Sequence, residues 1–179
     1  DRQLTPIGWR LAKFPMDPKI ARMILAAKHE NCLHEILIIA SALGLQDPRD
    51  RPCEQQAAAD NARRGFQDER SDFMAYLKLW DFFDELLKHK KSTRKLISQC
   101  REQFLSYRRL REWREIHGQL HVLMSELGFK SNEIPASYDE IHRALLTGLL
   151  GNIGFKTEKE GEYLGARGIK FAIFPGSVL

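Results

Sequence analysis

Residues 104–120 combine four arginines, one tyrosine and one tryptophan in seventeen positions. Guanidinium groups bind phosphate, and aromatic rings stack on unpaired bases. Arg108 and Arg111 each have a glutamate four residues later, so ion pairing along a helix would account for both. Arg101 and Arg114 have no acid at helical spacing. The stretch is therefore either the solvated face of a helix or a surface for a single-stranded nucleic acid.

The positive charge of the chain is concentrated around this stretch. The net charge of the whole chain is only +4, but residues 88–114 contain ten Lys or Arg and two Glu, a local charge of +8. This leaves −4 for the rest of the chain. A local excess of this size is typical of a surface that binds a polyanion, although most charged helix faces are simply solvated.

Two other patterns resemble catalytic motifs but depart from them. His117 and His121 have the spacing of zinc proteases, but Gly118 replaces the general-base glutamate and no cysteine lies nearby. The glycine-rich residues 148–157 resemble a phosphate loop, but Phe155 interrupts the Gly-Lys pair that the Walker pattern requires. We therefore expect no catalytic residue, no metal site and no ATP site in this chain.

The chain has 179 residues, of which 43% are hydrophobic and 29% are charged. This length and composition predict a globular protein. The longest apolar run, residues 36–45, is too short to span a bilayer, so we expect no membrane association. Three scattered cysteines argue against a disulfide framework and favour the reducing cytoplasm. The chain begins at Asp1 without methionine or a signal peptide, and we expect it to be a segment of a longer protein.

The spacing of apolar residues predicts a mainly α chain. The first three predicted helices cover residues 6–14, a segment that begins at Asp17-Pro18, and a segment that is capped by Asn31 and ends at Gly44. The next three cover residues 53–65, a segment that begins at Ser71-Asp72, and residues 93–127. The last begins with the Ser137–Glu140 capping box and ends at Gly148 or Gly151. Within residues 93–127 the apolar stripe changes face, which predicts a bend, or contacts on two sides, near residues 110–113.

The character of the chain changes after about residue 150. Residues 162–179 are rich in glycine and β-forming residues, in short runs suited to strands. Too few strands remain to close a barrel, so we expect a truncated β domain.

Five segments together resemble, in the same order, the C-terminal half of bacterial DEAH-box RNA helicases of the HrpA type. The segments are LTPIGWRLAKFPMDPKIARMIL (4–25), QDPRDRP (46–52), ERSDFMAYLKLW (69–80), FLSYRRLREWREIHGQL (104–120) and EYLGARGIKFAIFPGSVL (162–179). The resemblance covers essentially the whole chain.

The resemblance implies three domains: the end of a winged-helix domain and the helix that leads out of it at residues 1–28, a helical ratchet domain at 29–130, and a linker, a helix and the beginning of an OB-fold at 131–179. In such helicases the ratchet and OB domains close over two RecA-like ATPase domains and form a channel for single-stranded RNA. ATP and Mg would bind in the ATPase core, which this chain lacks. The implied partners are RNA, with DNA also possible, and the RecA-like domains of the same protein.

By resemblance, residues 104–120 and the turn at 173–177 face the RNA. The residues implied in nucleic-acid binding are Arg101, Tyr107, Arg108, Arg111, Arg114, Gln119, Lys170 and Ser177. Other members of the family carry His-Pro-Ser-Ser where this chain has residues 174–177, Phe-Pro-Gly-Ser, so a contact made by that histidine is lost while the serine remains. The alternative function is a helical protein-interaction module whose basic helix binds an acidic protein.

Overall fold

The computed structural model describes residues 16–89, 92–174 and 176–178, together with Pro6, Trp9 and Ala12. The helix predicted over residues 6–14 therefore lies mainly outside the described residues, and Pro15 and Pro175 lie wholly outside them.

Seven α-helices and, after them, three short strands make up the described part of the chain. The helices are α1 (Pro18–His29), α2 (Leu33–Leu43), α3 (Gln56–Arg64), α4 (Met74–Lys88), α5 (Thr93–Glu102), α6 (Tyr107–Glu126) and α7 (Tyr138–Leu149). The strands are β1 (Phe155–Lys156), β2 (Tyr163–Leu164) and β3 (Lys170–Phe171), and 3₁₀ turns lie at Cys53–Gln55, Leu150–Asn152 and Ala166–Gly168. The prediction of a mainly α chain followed by a few strands is confirmed.

The chain divides into two compact units. The first, here called the terminal unit, comprises Asp1–Ile36 and Gly128–Gly176; the second, the central unit, comprises Leu37–Leu127 and Ser177–Leu179. The central unit contains the basic residues 88–114.

An aromatic cluster forms the core of the central unit. Trp113 of α6 is 2% exposed, and its indole N–H donates to the Ile38 carbonyl at 3.0 Å and to the Ser41 hydroxyl at 2.9 Å. Its ring meets Trp80 edge to face at 5.3 Å and Tyr76 at 5.9 Å. A buried indole whose N–H is satisfied on another helix fixes the rotation of α6 about its own axis.

The predicted continuous helix over residues 93–127 is wrong, and α6 runs without interruption through residues 110–113, where a bend or contacts on two sides were expected. The chain breaks between α5 and α6 instead, where Phe104 adopts a left-handed conformation with φ 53°. The Phe104 amide donates to the Arg101 carbonyl at 3.0 Å, which ends α5 as a tight turn. The change of apolar face along this segment therefore reflects two helices, of which α6 is the longer.

In the terminal unit, α1 packs against α7 at close range. Gly148 lies inside α7, and a side-chain carbon placed there would come within 2.8 Å of Met23 and also meet the Lys19 carbonyl. Glycine is required at this crossing because it lets the two helix backbones approach. Gly148 is thus a packing residue and not the end of the helix. At the start of α7 the predicted capping box is confirmed, with the Ser137 hydroxyl and the Glu140 carboxylate capping the helix reciprocally.

Asn31 separates α1 from α2 without capping α2, which corrects the prediction. It has φ 53°, and the amide of the following Cys32 donates to the Ala27 carbonyl at 3.0 Å. This is a left-handed C-terminal cap of α1, a position that asparagine tolerates better than most residues.

The three strands form an antiparallel sheet in the order β1-β2-β3. Phe155 is opposite Leu164, and Tyr163 is opposite Phe171. Phe155 is 76% exposed, because strands of two residues cannot enclose a core of their own.

Candidate nucleic-acid interface

The position of the basic helix α6 is set by a short backbone ladder at its start. The Asp50 amide donates to the Phe104 carbonyl at 2.8 Å, and the Ser106 amide donates to the Pro48 carbonyl at 2.8 Å. The Ser106 hydroxyl then caps α6 by accepting from the Arg109 amide at 3.4 Å. The loop 46–52 therefore holds the junction between α5 and α6 in one place.

Two arginines of α6 are held by acids that lie far away in the sequence. The Nη1 atom of Arg109 donates to the Asp50 carboxylate at 2.7 Å and to the Asp47 carbonyl at 3.0 Å. The Nη1 atom of Arg114 donates to the Asp84 carboxylate at 2.8 Å, and its guanidinium lies over the Trp80 ring, 4.7 Å from the centroid. This hydrogen bond holds the pKa of Asp84 below its usual range. Both arginines thus contribute to the fold of the central unit.

The outer face of α6 is close to neutral. Arg108, Arg111, Glu112, Glu115 and Gln119 are all exposed, and their spacing places them on one side of the helix. Arg111 donates to Glu115 at 3.0 Å, and both side chains are about 60% exposed, so the pair contributes little to stability. The two positive and two negative charges on this face balance, and the local charge of +8 does not translate into a uniformly basic surface.

Among the described basic residues of 88–114, those without an ion-pair partner lie on α5 and at the first turn of α6. They are Arg94, Lys95, Arg101 and Arg108, here called the junction cations, and all four are exposed. Arg94 and Lys95 were not among the predicted site residues, although the absence of an acid at helical spacing already set them apart in the sequence. By contrast, Lys88 contacts Asp84 and Glu85.

Part of the predicted site is brought together and part is not. Tyr107, Arg108 and Arg111 line one open depression on the central unit, together with Glu112 and Glu115. The remaining predicted residues Arg101, Arg114, Gln119, Lys170 and Ser177 do not line it.

Tyr107 is half-buried, and its ring meets Phe83 edge to face at 6.0 Å, so only part of the ring is available for stacking. Lys170 lies on β3 of the terminal unit, where its ammonium is 3.1 Å from the Glu162 carboxylate. Ser177 belongs to the central unit and donates its hydroxyl to Asp72 at 2.6 Å.

The histidine pair of α6 forms an aromatic stack. The rings of His117 and His121 are 6.3 Å apart, and His117 also packs against Trp80 at 4.4 Å. No group of three or more His, Cys, Asp or Glu among the described residues is arranged to hold a metal ion. None of the described helices is both long enough and apolar enough to cross a membrane.

Comparison with known proteins identifies related chains. Residues 17–76 match the family model of the helicase associated domain (HA2), ratchet-like. The chain is 48% identical, over 99% of its length, to the ATP-dependent RNA helicase HrpA of Escherichia coli, and 47% identical, over 99% of its length, to the HrpA homolog of Haemophilus influenzae. It is 33% identical, over 72% of its length, to the putative ATP-dependent RNA helicase DHX57 of Mus musculus. The chain spans 14% of the length of each bacterial relative and 9% of the mouse relative.

Proposed function

The chain is a helicase-associated region of the HrpA type, and from this premise we propose that it helps to hold single-stranded RNA in an ATP-dependent RNA helicase. The identity of 48% over 99% of the chain with a protein named as such a helicase carries the proposal. The helices contribute grip and orientation, whereas ATP and Mg bind in RecA-like domains elsewhere in the same protein.

In this proposal the ratchet domain covers residues 29–130, preceded by the end of a winged-helix domain and followed by the beginning of an OB-fold. Of these three segments, 29–130 contains all of the junction cations. It also contains the aromatic core that keeps α6 from rotating. To hold a moving RNA strand, the contacting side chains need a rigid support, and a side chain fixed on a helix is positioned more exactly than one on a loop.

The junction cations are the groups best suited to contact phosphate. An exposed arginine without a carboxylate partner can bind a phosphate without first breaking an internal ion pair. Arg111 and Arg114 would have to leave Glu115 and Asp84 to do the same. We therefore rank Arg101 and Arg108 above them among the predicted contacts.

Charge reversal at Arg101 and Arg108 tests the proposal. The variant R101E/R108E should bind a labelled single-stranded RNA of twelve uridines about tenfold more weakly than the unaltered chain, measured by fluorescence anisotropy at low salt. Because phosphate contacts carry no sequence information, the loss should be the same for an RNA of mixed sequence.

The control is R64E/K130E, which changes the net charge equally at two exposed positions outside the junction. Its affinity for the RNA should stay within about twofold of that of the unaltered chain, because salt screens the interaction between exposed charges that are far apart. Equal losses in the two variants would contradict a specific contact at the junction. Failure of the unaltered chain to bind RNA, together with binding to an acidic protein, would favour a protein-interaction module.

A further inference from the structure

One carboxylate fastens the end of the described chain to the start of α4. The Ser177 hydroxyl donates to Oδ2 of Asp72 at 2.6 Å, and the Val178 amide donates to Oδ1 at 3.3 Å. Asp72 is separated from these residues by 105 and 106 positions in the sequence, and all three belong to the central unit. Both oxygens of one exposed carboxylate are thus engaged by two adjacent residues of a turn.

The donors in this contact are those that bind phosphate in nucleic-acid complexes. A serine hydroxyl and a neighbouring backbone N–H, directed at one anion, can hold two oxygens of a phosphodiester. A carboxylate and a phosphodiester each present two anionic oxygens of similar spacing, so they would compete for the same donors. Asp72 is exposed, and it can therefore leave the turn for water with little loss of solvation.

We infer that Asp72 is an internal competitor that occupies a phosphodiester-binding site formed by Ser177 and Val178, and that single-stranded RNA displaces it. The inference rests on the proposed function for the identity of the ligand, and it adds a second contact point on the central unit. It also explains how Ser177, which is expected to contact RNA, can be hydrogen-bonded to Asp72 within the protein.

A permanent positive charge supports an anion at this position. Burial opposes the charge of Arg49, but the hydrogen bonds and charge of Asp47, with smaller contributions from Tyr76 and Asp72, outweigh burial and raise the pKa of the guanidinium. Arg49 therefore stays charged and would attract a phosphate that replaced the Asp72 carboxylate.

The variant Asp72→Asn tests the inference because it removes the charge and keeps the shape. It should bind the uridine RNA about fivefold more tightly than the unaltered chain, because the Ser177–Val178 turn is free to bind phosphate in a larger fraction of the molecules. The control Glu69→Gln removes one exposed charge three residues away and should change affinity less than twofold. In the double variant D72N/S177A most of the gain should disappear. Affinity of D72N no higher than that of E69Q, or a gain that persists without Ser177, would overturn the inference.

A second measurement does not depend on RNA binding elsewhere on the chain. In ¹⁵N-labelled D72N, inorganic phosphate should shift the amide resonance of Val178 at lower concentrations than in the unaltered chain. Equal shifts in both proteins would overturn the inference and leave the proposed function standing. A loss of affinity in R101E/R108E that is no greater than in its control would count against the proposed function, and the Val178 shift would still decide the role of Asp72.

Discussion

Arg114 offers a direct test of whether a charged residue of the basic helix supports the fold. Its guanidinium donates to Asp84 at 2.8 Å and lies over the ring of Trp80. The side chains of Arg114 and Asp84 are 33% and 34% exposed, so the pair should contribute about 1 kcal/mol, the upper end of the range for surface pairs. The cation–π contact adds about 0.5–1 kcal/mol. Arg114→Ala should therefore lower the free energy of unfolding by about 1.5–2 kcal/mol.

The assay is urea unfolding followed by far-UV circular dichroism, applied to R114A, D84A and the double variant. The double-mutant cycle should give a coupling energy of about 1 kcal/mol between the two side chains. Arg114→Lys should retain the ion pair and lose most of the stacking, for a loss of about 0.5–1 kcal/mol. The matched control is Arg108→Ala on the exposed face of the same helix, which should change stability by less than about 0.5 kcal/mol.

The stability difference between R114A and the unaltered chain should also depend on pH. Because Arg114 lowers the pKa of Asp84 in the folded protein, the stabilisation is fully present above the unfolded pKa of about 3.9. It is lost as the pH falls through the lower folded value. A coupling energy near zero at pH 7, or equal losses in R114A and R108A, would refute the assignment of Arg114 to the fold.

Three further substitutions test the packing by urea unfolding. Trp113→Phe should cost about 3 kcal/mol, because it leaves two buried acceptors without the indole donor and reduces the core volume; no loss would contradict its central role. Gly148→Ala should destabilise by about 1–3 kcal/mol despite the better helix propensity of alanine, because its methyl group meets the backbone of α1; a stabilised variant would disprove the close approach. Asn31→Gly should stabilise by about 0.5 kcal/mol and Asn31→Ala should destabilise by about 1 kcal/mol, as the left-handed φ requires; the reverse order would contradict it.

Local signals in the sequence predicted several elements correctly. The Asp17 cap with a proline at the first helical position begins α1, and the Ser137–Glu140 box begins α7. These motifs act over three or four residues, so no knowledge of the tertiary structure is needed to recognise them. The small sheet after residue 150 was likewise foreseeable from its glycine and β-forming residues.

Tertiary pairing was not foreseeable in the same way. Arg114 has no acid at helical spacing, but it contacts Asp84, 30 residues away, and Arg109 contacts Asp50, 59 residues away. Such pairs depend on how loops and helices pack, which the spacing within one helix does not contain. The basic surface was overestimated for this reason.

The break at Phe104 was missed because its residue type argues against it. A bulky aromatic residue seldom adopts a left-handed conformation, and glycine or asparagine is the usual signal. Here the backbone bond between Asp50 and Phe104 and the burial of Leu105 stabilise the turn. The candidate site lies at this junction, so its geometry depends on contacts made by the loop at 46–52.

The salt dependence of RNA affinity tests the central claim most directly. For the unaltered chain, the logarithm of the binding constant for the uridine RNA should fall linearly with the logarithm of salt concentration, with a slope of about −0.7 for each phosphate neutralised. In R101E/R108E the slope should become shallower by about 1.4, two phosphate contacts, while R64E/K130E keeps the original slope. An affinity that does not change with salt, or a slope that R101E/R108E leaves unaltered, would contradict a phosphate-binding junction between α5 and α6.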